Sequence, residues 1–441
     1  MTLAEAQQFL YSFVNWEKKG GRPTEAADLT RFRRLLHTLD DPHHRFRSVL
    51  VVGTNGKGSV SAMLASMLRA GGLRVGLYTS PHLVSITERI QVEGRPISDE
   101  DFAAGVTDLK GALGPLPGDA WGYRTTFELL TALAFRTFAA SGVDVAVVEA
   151  GLGARLDATA VVDPVLSIIT PIHLDHTATL GRTLREIARD KAGVIRPEVG
   201  LVTAPQTAPV RAVIREEAEA VGPAQWIRVG VDTSHRWWRA GDGYCGAVFS
   251  GRSGRVEMER LPLRGAHQVV NAAAAVAAAR MVMPDAHPGI LAKGLARTCW
   301  PGRMEVVPGS PPLLLDGAHN PHGARTLARF LGDWDRGGHG ICTILAAISM
   351  GKDVRGVLEP LRSRSASLVA CRVDEQRGVA AEEIVRCASA LGFSVTATDL
   401  PDALQCARAR ADSDGLVVVC GSLYLVGAIA AETGVSHRWW G

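Results

Sequence analysis

SVLVVGTNGKGS, Ser48 to Ser59, is the stretch from which the fold can be read. Residues 48–53 form an apolar run of strand length, and a helix-period pattern follows over 59–70. A buried strand that ends in a glycine-rich turn and opens a helix is the setting a phosphate loop needs. Gly53, Gly56 and Gly58 let backbone amides turn toward one anion. The helix N-terminus adds partial positive charge, and Lys57 neutralises the outer phosphates. Thr54, Asn55 and Ser59 complete the candidate loop. It departs from the common phosphate-loop pattern at two places. Val51 stands where a leading glycine is usual. Gly58 follows the lysine where a magnesium-binding hydroxyl is usual, so Ser59 is the nearer hydroxyl.

Outward from this loop, short β runs alternate with helical periodicity. Strands are expected at 73–78, 143–150 and 165–170, with a helix at 126–140. That alternation predicts an α/β fold with a mostly parallel sheet covered on both faces. Residues 205–262 read as an antiparallel patch, with alternation at 244–249. Residues 271–281 (NAAAAVAAARM) read as a small-residue helix. Pro and Gly punctuate 298–312 (TCWPGRMEVVPGSPP), which places a domain boundary there and predicts domains 1–300 and 301–441. Strands at 313–317, 342–348, 368–373, 394–398 and 416–420 then give a smaller, Rossmann-like C-terminal α/β domain.

Composition narrows the function. With 48 basic and 45 acidic residues the net charge is +3, too balanced for a nucleic-acid coat or a polybasic membrane binder. No apolar run is long enough to span a bilayer, and no secretory leader is legible at the N-terminus. Seven cysteines without a CxxC pair suit free thiols in a reducing cytoplasm, and no cluster has the spacing of a zinc site.

Several polar residues sit where strands end, the edge that faces the ligand crevice in a parallel sheet. Glu149 closes VDVAVVE and suits a hard divalent cation; a capping or salt-bridged glutamate is the alternative. Ser80 and His176 end strands similarly, and Asp175 could orient His176. Lys191, in a helical run, reads from sequence alone as a solvated surface lysine. Asn271 reads as either a nucleobase contact or an N-cap.

GTNGKGS resembles the nucleotide loop of the Mur ligase superfamily, in its folylpolyglutamate/dihydrofolate synthase branch. The resemblance continues through YTSPHLVSITERIQVEG (78–94), EAGLGARLDAT (149–159), LDHTATLGRTLREIARDKAGVIRP (174–197), LRGAHQVVNAAAA (263–275), WPGR (300–303), LLLDGAHNPHGA (313–324) and GSLYLVG (421–427). It implies a Mur-ligase-like P-loop ATPase domain, with ATP held between it and a smaller domain that closes over it. It implies that Ser80, Glu149 and His176 hold magnesium, and that Lys191 is carbamylated and helps hold a second Mg2+. It assigns Asn271 to the adenine, Arg303 to the ATP phosphates and Asp316 to the ribose. His82, Phe127 and Glu128 fall in blocks near the folate pocket, His319 in the AHNP turn, and Ser422 near the incoming glutamate. Two departures stand out. Ala154 replaces a glycine, and Ala160 replaces an Asn often found after DAT.

The implied activity is ATP-dependent ligation of L-glutamate to a reduced folate, to dihydropteroate, or to both, through an acyl phosphate. Lys57, Glu149, His176 and Lys191 would be its catalytic residues. The resemblance implies a monomer. Two rivals share parts of the pattern: a Mur-type ligase acting on a UDP-linked cell-wall peptide, and a non-catalytic nucleotide-binding module. The short N-terminal segment ahead of the loop disfavours the first. The joint presence of Glu149, His176 and Lys191 disfavours the second.

Overall fold

The computed structural model describes residues 1–15, 29–113, 125–251, 254–335, 342–412 and 415–435. The chain divides into two compact units. One comprises Met1–Arg236, Ala247–Met258 and Val269–Thr298; the other comprises Trp237–Gly246, Glu259–Gln268 and Cys299–Gly441.

The first unit is built on an eight-stranded sheet. Its strands are β1 (Arg47–Val52), β2 (Val75–Tyr78), β3 (Ile90–Val92), β4 (Arg95–Pro96), β5 (Val145–Glu149), β6 (Pro164–Ile169), β7 (Gly200–Thr203) and β8 (Gln225–Arg228), in the order β4-β3-β2-β5-β1-β6-β7-β8. Six of them run parallel; β3 and β4 close one edge as an antiparallel hairpin. β1 is central because its side chains from Ser48 to Val52 are all buried, as an apolar strand covered on both faces must be. Each fully buried Val or Leu there contributes about 1.5–3 kcal/mol. The chain leaves β1 for β2 on one side and later returns through β6 on the other. The crevice at the carboxyl ends of β1, β5 and β6 is therefore the topological switch point.

Helices around this sheet begin with reciprocal caps. Thr2/Glu5, Thr125/Glu128 and Thr183/Glu186 each form a capping box, and Ser85/Glu88 does the same for a single 3-10 turn. In each box a hydroxyl and a carboxylate three residues on satisfy two amides that the helix geometry leaves open.

Residues 205–262 depart from the antiparallel expectation. They begin with a helix, Ala208–Val221, whose buried Val210, Val213, Ile214 and Ala218 follow helical spacing. β8 then adds a parallel strand to the main sheet. Only β9 (Ser234–Arg239), β10 (Cys245–Gly251) and β11 (Gly254–Met258) form a separate three-stranded sheet, in which β10 and β11 pair antiparallel.

The second unit carries a six-stranded sheet. β12 (Glu305–Val307), β13 (Leu313–Leu315), β14 (Cys342–Ala346), β15 (Ser367–Ala370), β16 (Ser394–Ala397) and β17 (Leu416–Cys420) lie in the order β12-β13-β17-β14-β15-β16. All pairs are parallel except β12 with β13. Among the described residues no helix is long and apolar enough to cross a membrane. All seven cysteines are free thiols, four of them buried.

Candidate active site

The phosphate loop is fixed from behind by β6. The amides of Thr54 and Asn55 both donate to the Pro171 carbonyl, at 3.0 and 3.2 Å. Thr54 Oγ1 and the His173 backbone exchange hydrogen bonds at 3.1 Å. These groups of Thr54 and Asn55 build the loop. The helix Lys57–Ala70 starts directly behind the loop, and its N-terminus is where an anion is favoured. Gly53 (φ 147°) and Gly56 (φ 86°) adopt backbone that side chains rarely tolerate. A Cβ at Gly53 would collide with the Thr170 hydroxyl, and one at Gly56 with the Asn271 side-chain amide. The structure therefore brings Asn271, 4% exposed on the helix His267–Val282, against the loop.

The register Val51↔Glu149 puts the end of β5 beside the start of this loop. Glu149 is buried, and its Oε1 lies 3.9 Å from Lys57 Nζ. Phe127 covers the turn that follows. Its ring would meet a Cβ on Gly151 at 2.6 Å and packs 5.8 Å from the Tyr78 ring. Asp157 organises the same turn by accepting from the amides of Gly151, Leu152 and Thr159 and from the Thr159 hydroxyl.

Lys191 is buried, not solvated: it is 4% exposed on the helix Leu184–Ala192. Burial first, and the Lys57 charge second, push its ammonium down to about 8; Asp190, Asp175 and Asp157 pull the other way. Burial raises the Asp190 carboxyl, and its Oδ2 is buried with no hydrogen-bond partner among the described residues. His176 has left-handed backbone (φ 49°), which its own amide supports by donating to Asp175 Oδ1 at 2.8 Å. Ser80 is partly exposed just past β2, and His82 Nδ1 accepts from Arg89 Nε at 2.9 Å. Glu128 is 5% exposed, and its carboxylate closes a capping box with Thr125.

In the second unit Asp316 is 6% exposed. Its two oxygens accept from the amides of Met304 and Ala318, both at 2.9 Å. Burial raises its carboxyl, and the Arg303 charge lowers it. Arg303 donates to the Gly302 carbonyl. His319 Nδ1 donates to the Gly317 carbonyl at 2.9 Å. Ser422 is buried and caps the helix Leu423–Glu432 through the Tyr424 amide.

A family model described as the Mur ligase middle domain matches residues 51–279, and one described as the dihydrofolate synthetase C-terminal domain matches residues 304–431. The dihydrofolate synthase/folylpolyglutamate synthase of Bacillus subtilis (strain 168) is 35% identical over 408 residues, 91% of this chain and 94% of that protein. The chain belongs to the folylpolyglutamate synthase/dihydrofolate synthase family. A further family member, the probable bifunctional folylpolyglutamate synthase/dihydropteroate synthase of Haloferax volcanii, is 39% identical over 436 residues. This chain, 97% covered, spans 50% of that relative's length. The solved Mycobacterium tuberculosis folylpolyglutamate synthase complexed with ADP and AMPPCP aligns with a TM-score of 0.86 at 31% identity, covering 92% of this chain and 95% of that one.

For this folylpolyglutamate synthase/dihydrofolate synthase family chain, sequence reasoning missed Asp157 and Asp190. Asp157 had a legible signal, since Asp two residues before Thr at a loop end is an Asx-turn pattern. Asp190 looked like one more charge on an amphipathic helix, and nothing in its spacing marks one of its oxygens as buried.

Proposed function

We infer that this chain is a dihydrofolate synthase/folylpolyglutamate synthase, an ATP-dependent ligase that joins L-glutamate to folates. The observation that carries the reading is the facing of Lys57 and the buried Glu149 across a loop–helix N-terminus, in a chain matched along both halves to one family. The N-terminus of the helix Lys57–Ala70 and the Lys57 ammonium hold the triphosphate, and Asn271 reads the base. Arg303 and Asp316 bind phosphate and ribose in the second unit. Each Asp316 oxygen already accepts one amide and keeps a lone pair for a hydroxyl. His82, Phe127 and Glu128 bound the pterin, and His319 and Ser422 meet the glutamate.

The donor set around the loop fits Mg2+: Glu149, the unpartnered Asp190 oxygen and neighbouring carboxylates supply the hard oxygen ligands such an ion prefers. Ser80, Glu149 and His176 would hold one ion, with a carbamylated Lys191 helping to hold a second. Bound magnesium neutralises phosphate charge and polarises the γ-phosphoryl group. Lys191, with its ammonium at about 8, supplies the neutral amine that adds CO2 and releases a proton to become a carbamate.

In the reaction a substrate carboxylate oxygen attacks the γ-phosphorus and ADP leaves. Lys57 and the helix amides hold the developing charge on the transferring group. The free amine of L-glutamate then attacks the acyl carbon. The tetrahedral intermediate collapses to an amide and inorganic phosphate. No side-chain nucleophile takes part. The chain acts as a monomer in the cytoplasm, a compartment that keeps its seven thiols reduced. Purified protein incubated with ATP, Mg2+, L-glutamate and either dihydropteroate or tetrahydrofolate tests this. Phosphate release is expected only when both acceptor and glutamate are present. Release with neither pterin overturns it.

A further inference from the structure

The turn ahead of β1 gathers imidazoles and carboxylates that the ligase reading leaves unused. Asp41, with left-handed backbone (φ 46°), opens the 3-10 turn Pro42–His44. One ligand atom from each of Asp41, His43 and His44 lies within 4.8 Å of the others. His43 is 6% exposed, and its Nδ1 is buried with no hydrogen-bond partner among the described residues. Its ring packs on His44, centroids 3.9 Å apart, and on Phe135 at 6.2 Å.

Two outer pairs brace this group. His37 Nδ1 lies 2.9 Å from Asp41 Oδ2, and His44 Nδ1 lies 3.5 Å from Asp163 Oδ2. The Asp163 carboxylate facing His44 Nδ1 leaves Nε2 as that ring's ligating nitrogen, the outer arrangement common at protein zinc sites. We propose that Asp41, His43 and His44 form a three-ligand site for a zinc-class divalent transition metal, with His37 and Asp163 as outer partners. Nitrogen and carboxylate donors select such a metal over magnesium.

Tetrahedral bonds of about 2.0–2.1 Å need ligand atoms roughly 3.4 Å apart. Small rotations of His44 and Asp41, both at the surface, supply the remaining contraction. A solvated histidine cluster accounts for His37 and His44. It leaves the buried Nδ1 of His43 without the partner that a polar atom removed from water requires. Arg33 lies close enough for its charge to be felt at His43, and this limits the affinity. The sequence shows the set as HxxxDxHH over residues 37–44, a spacing without cysteine pairs that a search for zinc-finger patterns passes over.

β1 runs six residues from this turn to the phosphate loop, about 20 Å at 3.3 Å per residue. The metal therefore ties the helix Leu29–Thr38, through His37, to the start of the central strand and acts on stability, not turnover.

The test titrates Zn2+ into metal-free full-length protein in excess Mg2+, against a chromophoric chelator. One equivalent bound at on the order of micromolar or tighter is expected, with a raised melting temperature. His44→Gln, at an exposed position, should weaken that equivalent about 10-fold or more with turnover unchanged. His43→Gln should do the same. Glu149→Gln should retain the equivalent, because the ligase site is separate. No stoichiometric zinc overturns the proposal, as does an equivalent unchanged in His44→Gln and His43→Gln, or one lost in Glu149→Gln.

Discussion

Lys191 shows how one residue can carry opposite readings. On a helix diagram it is one charge among several; in the folded chain it is 4% exposed beside a second lysine's field. An ammonium there is disfavoured, and its value near 8 means that the neutral amine gains population as pH rises through that value. Intact-mass measurement at mildly alkaline pH with bicarbonate should show the mass of one CO2 on this residue, lost on acidification and absent in Lys191→Ala. An unmodified wild-type mass under those conditions contradicts the carbamate. Gly56 makes a second point. Both its φ of 86° and the Asn271 amide against it exclude a side chain. Gly56→Ala should cost about 1–3 kcal/mol in stability and raise the KM for ATP, read by urea unfolding and steady-state kinetics. Glu149→Gln should lower kcat by about 100-fold or more while the chain keeps its circular dichroism spectrum.

Elements were legible where one period dominated. The loop, β1 and the helix after it followed from SVLVVGTNGKGS alone, because an apolar run between turn signals has few other solutions. The helix Ala208–Val221 was lost because the Trp- and Arg-rich residues after it set the reading of the whole stretch. β8 was lost because its side chains are only partly buried. The S/T-x-x-E boxes were readable in principle, and they alter the reading of Glu128. A glutamate sought as a folate contact also satisfies the Thr125 amide at 2.8 Å. Glu128→Ala should cost about 1 kcal/mol in urea unfolding. Glu128→Gln keeps the capping geometry, so a raised folate KM in that variant alone reports the substrate contact. An unchanged KM assigns the residue to the helix end only.

At the scale of the molecule, acid sensitivity follows from buried imidazoles. Burial, helped by His322 and Arg303, holds His267 down at about 4; burial with Arg325 and Arg329 does the same to His322. Between their ordinary value of 6.5 and about 4, the unfolded chain takes up protons that the folded chain refuses. This stability is therefore complete above about 6.5 and lost as pH falls toward 4, up to about 3 kcal/mol from His267 alone. The melting temperature should drop between neutral pH and about pH 5, and less steeply in His267→Gln. An equal slope in both proteins assigns the loss to other groups. The reaction itself leaves a mark that no structural role can imitate. A folate acceptor labelled with heavy oxygen in its reacting carboxylate, turned over with ATP, Mg2+ and L-glutamate, should pass one labelled oxygen into each phosphate released. Phosphate released without the label would contradict transfer of the terminal phosphoryl group to the acid.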